Sequence, residues 1–300
     1  MEKITLASQL LQYLITGLTV GSVYAMVAVG FNIIYNVTEI INFAQGEFVM
    51  LGGLIMVFMN VAMGLPLILA FPATIILVTL VGILMDRLAI RPIRRPSVLT
   101  LIIATIAVSI LIKGTASFIW GKDPFDLPAF SGRNPITFLG AVVQPQYFWV
   151  MGFLIVTAVA LSIFFDRTII GKAMSACADN PDAASLVGIN VKQMILLSFA
   201  LSAAIGAVAG ITVTPISLME YDRGAMLAVK GFGAAILGGL GSFPGAILGG
   251  LIMGSIESFG AGLISSGYKD AFALIVLLVI LFFKPSGLLG SIEISRIKRF

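Results

Sequence analysis

Residues 10–35 read LLQYLITGLTVGSVYAMVAVGFNIIY, a run without a single charged side chain. A transmembrane helix needs about 20 mainly apolar residues, so this run predicts a membrane span. The whole chain has the same character, because it is 59% hydrophobic and 11% charged, with a mean hydropathy of +1.10. A soluble domain has about a quarter of its residues charged. The sequence therefore predicts an all-α, polytopic transmembrane helical bundle that forms one domain over residues 1–300.

Further apolar segments predict about nine spans, within a range of eight to ten. They are residues 43–61, 65–84, 98–120, 148–165, 194–213, 225–240, 244–264 and 271–283. Segment 225–240 is short for a span and rich in glycine, which allows helices to approach closely in lipid. We predict that it is a half-helix or re-entrant piece, followed by a turn at Gly241–Pro244. Close backbone packing is expected at Gly238, Gly239 and Gly241.

Basic residues predict the orientation, because cytoplasmic loops carry an excess of lysine and arginine. Three groups of them mark cytoplasmic segments: Arg87, Arg91, Arg94 and Arg95; Arg167, Lys172 and Lys192; and Lys284, Arg296, Lys298 and Arg299. Residues 166–192 are then a cytoplasmic loop, residues 121–146 lie outside, the N-terminus is outside and the C-terminus inside. Membrane lipid is the surrounding partner, and the net charge of +4 is assigned to these loops rather than to nucleic-acid binding.

Several kinds of chemistry are excluded by composition. The chain has no histidine, and Cys177 is its one cysteine, so an internal disulfide, a cysteine-based metal cluster and Ser-His or Cys-His catalysis are ruled out. No Gly-x-x-x-x-Gly-Lys-Ser/Thr loop is present, so ATP hydrolysis by that route is also ruled out. We predict no catalytic residues, no metal and no cofactor bound by this chain.

The loop 166–192 contains a helix-start signal. Asn180-Pro181 places proline at the first helical position and Asp182 in the first turn, and Gly188 can end the helix after about two turns. The prediction is a short cytoplasmic helix over residues 182–190, with small side chains that suit a groove on another protein. A plain connecting loop is the alternative.

These residues carry a family resemblance. Asp182-Ala183-Ala184, three further residues and Gly188 resemble the EAA-x-x-x-G signature of bacterial ABC importer permeases, with Asp in place of Glu. Their surroundings resemble the branched-chain amino acid branch of these permeases, the LivH type. Three further stretches resemble this branch: Ile41-Asn42-Phe43-Ala44-Gln45-Gly46-Glu47, Ala235 to Ala246, and Gly21 to Ala25. The resemblance covers nearly the whole chain.

The resemblance implies a function. The chain would be the permease subunit of an importer in the bacterial inner membrane, moving branched-chain or other hydrophobic amino acids, or related small solutes, into the cytoplasm. The coupling helix would dock in a groove of an ATP-binding subunit. The partners would be two ATP-binding subunits, which bind the ATP, a second related permease and an extracytoplasmic solute-binding protein. Coupling is assigned to Asn180, Pro181, Asp182, Ala183, Ala184, Gly188 and Ile189.

Polar residues within spans are the candidates for the translocation path. They are Tyr24, Asn42, Gln45, Glu47 and Glu257. At helical spacing Asn42 and Gln45 share a face. Glu47 has an alternative role as a carboxylate at a helix start. Glu257 lies mid-span and needs an internal partner, for which we propose Lys230, so its role is either structural pairing or solute contact.

Two other classes of function compete with the permease reading. A self-sufficient secondary transporter or channel would suit the two interrupted, glycine-containing regions, but it leaves residues 182–190 without a role. An intramembrane enzyme is disfavoured by the lack of histidine and by carboxylates that occur singly. Co-purification of an ATPase subunit would separate the first class from the other two.

Overall fold

The computed structural model describes residues 6–93 and 97–290, and within them most residues are helical. Five of the basic residues used above for orientation, Arg94, Arg95, Arg296, Lys298 and Arg299, lie outside these ranges. The helices are α1 Leu6–Thr38, α2 Gln45–Val57, α3 Leu67–Met85, α4 Val98–Trp120, α5 Pro145–Arg167, α6 Ile169–Asp179, α7 Pro181–Leu186, α8 Val191–Ser217, α9 Arg223–Gly238, α10 Phe243–Leu263 and α11 Lys269–Phe283. Single π-helical turns extend α2 to Ala62 and α3 to Ile90.

The polytopic helical bundle is confirmed. In the described ranges, seven helices are long and apolar enough to cross a membrane: α1, α2, α3, α4, α5, α8 and α10, with the π-helical extensions counted. The two other predicted spans correspond to α9 and α11, which have 16 and 15 residues. The short glycine-rich helix predicted at 225–240 is therefore present as α9.

Helix α1 is the centre of the bundle. Every residue from Gly21 to Ile34 is buried, and the helix packs against α8, α9 and α10. Helix α4 is the opposite case, because its buried residues are Thr105 and Ala116. A helix that is apolar all round and exposed on most of its surface suits lipid or a second membrane subunit.

Small residues bring α1 and α10 into direct backbone contact. Gly17 and Gly21 on α1 face Gly250 and Gly254 on α10, and each pair is spaced four residues apart. A Cβ atom built on Gly21 would lie 2.8 Å from the Gly250 carbonyl oxygen, and one on Gly254 would overlap the Gly21 backbone. This is the small-xxx-small packing of membrane helices, in which van der Waals contact replaces the hydrophobic effect.

One local prediction was wrong in detail, and one short element was not predicted. The break after the first span was predicted at 36–42, but α1 continues to Thr38 and α2 begins at Gln45. The outer segment contains a β-hairpin, β1 Ile136–Phe138 and β2 Ala141–Val143, which the all-α prediction omitted. Its two loop residues, Leu139 and Gly140, have φ of 49° and 79°, as a two-residue hairpin turn requires.

Candidate functional site

A buried polar cluster joins three helices of the core. The Lys230 ammonium of α9 donates to Glu257 Oε1 of α10 at 2.8 Å and to the Tyr24 hydroxyl of α1 at 2.9 Å. The Tyr24 hydroxyl in turn donates to Glu257 Oε2 at 2.8 Å. The exposed fractions of Tyr24, Lys230 and Glu257 are 3%, 7% and 6%. The predicted Lys230–Glu257 pair is confirmed, and each charge has a partner, as burial of ions demands.

Two cavities meet at this cluster. The first has a volume of about 180 Å³ and is bounded by Tyr24, Lys230 and Glu257, with Arg223 and Lys269 also in its wall. The second, of about 360 Å³, lies between the first half of α1 and the second half of α10. Three residues line both cavities: Val20, Glu257 and Lys269. Glu257 therefore lines both cavities.

Asn42 and Gln45 belong to a different group of contacts. Asn42 lies before α2, so it does not share a helical face with Gln45 as predicted; instead its Oδ1 accepts from the Ala44 amide at 3.0 Å. The Gln45 side chain is buried between α1 and α8. Its Oε1 accepts from the Ser202 hydroxyl at 2.6 Å, and that hydroxyl also lies 2.8 Å from the Gly30 carbonyl oxygen.

Glu47 faces α4. It is buried in the first turn of α2, where the helix dipole favours a carboxylate, and its Oε1 accepts from the Ser109 hydroxyl at 2.9 Å. Its Oε2 has no hydrogen-bond partner among the described protein atoms. Lys113, one turn after Ser109, forms an ion pair with Asp222, at the start of α9. The predicted path residues thus form two groups: Tyr24 with Glu257, and Asn42, Gln45 and Glu47 at the start of α2.

The predicted cytoplasmic helix is present but shorter. Asn180 caps α7, since its side chain accepts from the Ala183 amide at 3.0 Å, and Pro181 occupies the first helical position. The helix ends at Leu186 rather than continuing to residue 190. Gly188 follows with φ of +91°, and Asn190 caps α8 by accepting from the Gln193 amide. The predicted helix is therefore replaced by the short α7 and by the separately capped start of the long helix α8.

The exposed surface of α7 is partly apolar. Leu186 and Val187 are 88% and 77% exposed, whereas Ala184 is buried and Ile189 is half-buried against the bundle. Asp182 and Ala183 are also exposed, on the outer side of the helix. Helix α6, which the sequence analysis missed, is amphipathic and buries Gly171, Met174 and Cys177. Adjacent exposed apolar side chains on a polar segment are typical of a surface that binds a partner.

Cys177 provides a test of this segment. Burial raises the pKa of the Cys177 thiol, and the thiolate is the reactive form. We expect maleimide labelling of Cys177 at pH 7 to be at least about tenfold slower than labelling of a cysteine at exposed Ser175, in a Cys177→Ala, Ser175→Cys chain. The rate for Cys177 should rise with pH. Equal rates for the two chains in the folded state would contradict this placement of α6.

The three glycines predicted at a close contact lie at the turn between α9 and α10. A Cβ on Gly238 would overlap the Gly245 backbone, and one on Gly239 would lie 2.5 Å from the Gly290 amide nitrogen. Gly239 and Gly241 have φ of +107° and +91°, a conformation that side chains disfavour. Asn36 and Asn32 of α1 donate to the carbonyls of Gly241 and Ser242.

Sequence reasoning missed several residues of the polar groups. Arg223 and Lys269 begin α9 and α11 and line the smaller cavity, and Ser202 holds Gln45. The sequence signal that could have identified Arg223 and Lys269 is the position of a basic residue at the end of an apolar segment. Lys113 of α4 pairs with Asp222, because the chain before α9 passes α4 at that level.

The bundle of seven long apolar helices in the described ranges, with a buried ion pair in its core, is typical of a multi-pass membrane protein. Over residues 13–281 the sequence matches the family described as "Branched-chain amino acid transport system / permease component". The chain belongs to this family.

Individual relatives match over nearly their full length. The chain is 35% identical to the high-affinity branched-chain amino acid transport system permease protein BraD of Pseudomonas aeruginosa, covering 96% of this chain and 98% of that one. It is 34% identical to the corresponding protein LivH of Escherichia coli K12, covering 96% and 97%. It is also 31% identical to the ribose import permease protein RbsC of Haemophilus influenzae, over 87% and 81%. These relatives are named as permeases, not enzymes.

Proposed function

We propose that this chain is the membrane-spanning permease subunit of an ABC importer in the bacterial inner membrane, and that it moves branched-chain or other hydrophobic amino acids into the cytoplasm. Power comes from two ATP-binding subunits, because the chain itself lacks a phosphate-binding loop. A second related permease and an extracytoplasmic binding protein complete the importer. The observation that carries the proposal is α7, a capped helix with exposed apolar side chains in a family of transport permeases.

Helix α7 is positioned to transmit a movement of the ATP-binding subunit to the membrane helices. Its start is fixed by the Asn180 cap and Pro181, and Ala184 packs against the bundle. The bond from the Ile189 amide to the Ala184 carbonyl at 3.0 Å closes its end, just before α8 begins. If α7 is bound in a groove of an ATP-binding subunit, a movement of that subunit moves α7 and with it α8. Helix α8 packs on α1, α2 and α3.

The proposal is tested by reconstitution. The chain, co-expressed with candidate ATP-binding and permease subunits, is purified and placed in vesicles with the binding protein outside and ATP inside. Accumulation of labelled leucine that depends on ATP and on the binding protein is expected. Uptake by this chain alone, driven by an ion gradient, would overturn the proposal in favour of a secondary transporter.

The role of α7 gives a sharper prediction. Leu186→Asp places a charge on the proposed docking surface and should reduce co-purification of the ATP-binding subunit and uptake at least about tenfold, since a buried unpaired charge costs several kcal/mol. The chain should fold normally because Leu186 is exposed. Ile169→Asp is the matched control: this exposed isoleucine begins α6, where an acidic side chain suits the helix dipole. Equal losses in both variants would contradict docking through α7.

A further inference from the structure

The smaller cavity beside Tyr24, Lys230 and Glu257 has an unusual charge arrangement for the interior of a membrane protein. Among the described residues, Arg223, Lys230 and Lys269 line it together with the carboxylate of Glu257. Arg223 is half-buried, with a hydrogen bond to the Ser217 hydroxyl, and Lys269 is exposed where the two cavities meet. The remaining wall is largely aliphatic: Val20, Val23, Val213, Ile216 and Leu227.

The ion pair restricts which solutes can enter. A solute that separates Lys230 from Glu257 leaves two buried charges to be compensated, and breaking a buried pair without compensation is strongly unfavourable. A cation satisfies Glu257 alone, and an anion satisfies Lys230 alone. A zwitterion satisfies both, because it carries one charge of each sign a short distance apart.

Resting on the importer function proposed above, we propose that this cavity is a transient binding site for a zwitterionic α-amino acid on its way inward. The solute carboxylate replaces Glu257 at Lys230, and the solute ammonium replaces Lys230 at Glu257. The Tyr24 hydroxyl, which contacts both residues, remains to bond either head group. The aliphatic side chain lies against the valine and isoleucine wall, and the cations Arg223 and Lys269 attract the carboxylate toward the cavity.

The site is transient because the protein pair competes with the solute. In the absence of solute Lys230 and Glu257 bond each other in the wall of the smaller cavity. When Lys230 and Glu257 bond each other again, the solute loses both charged partners, which favours its departure from the cavity. Changes here are therefore expected to alter the maximal uptake rate more than the solute concentration for half-maximal uptake.

The test is a reversal of the pair. Lys230→Glu with Glu257→Lys keeps an ion pair of the same length, so the importer should assemble and its ATPase should respond to loaded binding protein. In the reversed site the solute ammonium would bind where the carboxylate bound before, and the carboxylate where the ammonium bound. With the α-carbon and side chain unmoved, this arrangement matches the mirror-image amino acid. The maximal rate of L-leucine uptake should therefore fall at least tenfold, with the concentration for half-maximal uptake changing less than threefold. Reversal of Arg133 and Asp126, an exposed pair outside the cavity wall, is the matched control and should retain uptake.

A binding measurement covers the case in which the reversed pair does not assemble. In a Cys177→Ala background, Met226→Cys places a thiol in the cavity wall and Met63→Cys places one at an exposed site far along the chain. Millimolar L-leucine should slow labelling of the first by a cationic thiol reagent at least threefold and leave the second unchanged.

The outcomes are distinguishable. Full L-leucine uptake by the assembled reversed pair, or unprotected labelling at Met226→Cys, would overturn the cavity site while leaving the importer function intact. A wild-type importer that accumulates no amino acid would instead contradict the function proposed above.

Discussion

Gly254→Leu is expected to prevent the bundle from closing around α1. A Cβ at this position would overlap the Gly21 backbone and lie 2.5 Å from the Gly17 carbonyl oxygen, and neither backbone can rotate out of the way as a side chain can. The two helices must separate, which also removes Glu257 from Tyr24, since Glu257 lies one turn after Gly254. Overpacking of this kind costs about 3 kcal/mol or more. The midpoint of thermal unfolding in detergent should fall by about 5–10 °C, with a matching loss of monodisperse protein.

Gly152→Leu is the matched control for this prediction. Gly152 lies within α5, and in the described part of the chain no atom beyond the local backbone of that helix is within 4 Å of a Cβ built on it. The same residue change therefore adds helix propensity, about 0.5–1 kcal/mol in water, without a clash. A similar loss in both variants would show that leucine at any helical glycine is harmful, and the close α1–α10 contact would not explain the result.

Much of the fold follows from the sequence because membrane spans have a simple physical signature. Long apolar runs set the number of helices, and the glycine-rich segment 225–240 is the short α9. The helix start at Asn180-Pro181 was also predictable, since a cap and a first-position proline act over a few residues. The Lys230–Glu257 pair was predictable because an unpaired Glu257 in the middle of a span is unfavourable in free energy.

Other features depend on which helices meet, and composition does not encode that. Gly17 and Gly21 look like ordinary glycines of an apolar run until α10 is placed against them. Helix α6 was missed because its polar residues resemble a loop, although its buried residues recur at helical spacing. Gln45 was predicted as a path residue, but its hydrogen bond to Ser202 was not, because Ser202 is 157 residues away along the chain.

Lys230→Met alone is expected to have the second large effect. It leaves the Glu257 carboxylate buried with only the Tyr24 hydroxyl of its two partners, and removal of one member of a buried pair costs about 3–5 kcal/mol. The matched control is Arg133→Met, because the Arg133–Asp126 pair of the outer segment is open, with side-chain exposures of 66% and 48%. Surface pairs contribute about 0–1 kcal/mol, so this variant should unfold close to the wild-type temperature.

Removal of both charges separates the cost of an unpaired ion from the value of the pair. Lys230→Met with Glu257→Leu leaves no buried charge, and well-packed apolar replacements of buried pairs are often neutral in stability. The double variant should therefore unfold at a higher temperature than Lys230→Met. A double variant less stable than Lys230→Met would mean that the pair itself, rather than avoidance of a lone charge, holds α1, α9 and α10 together.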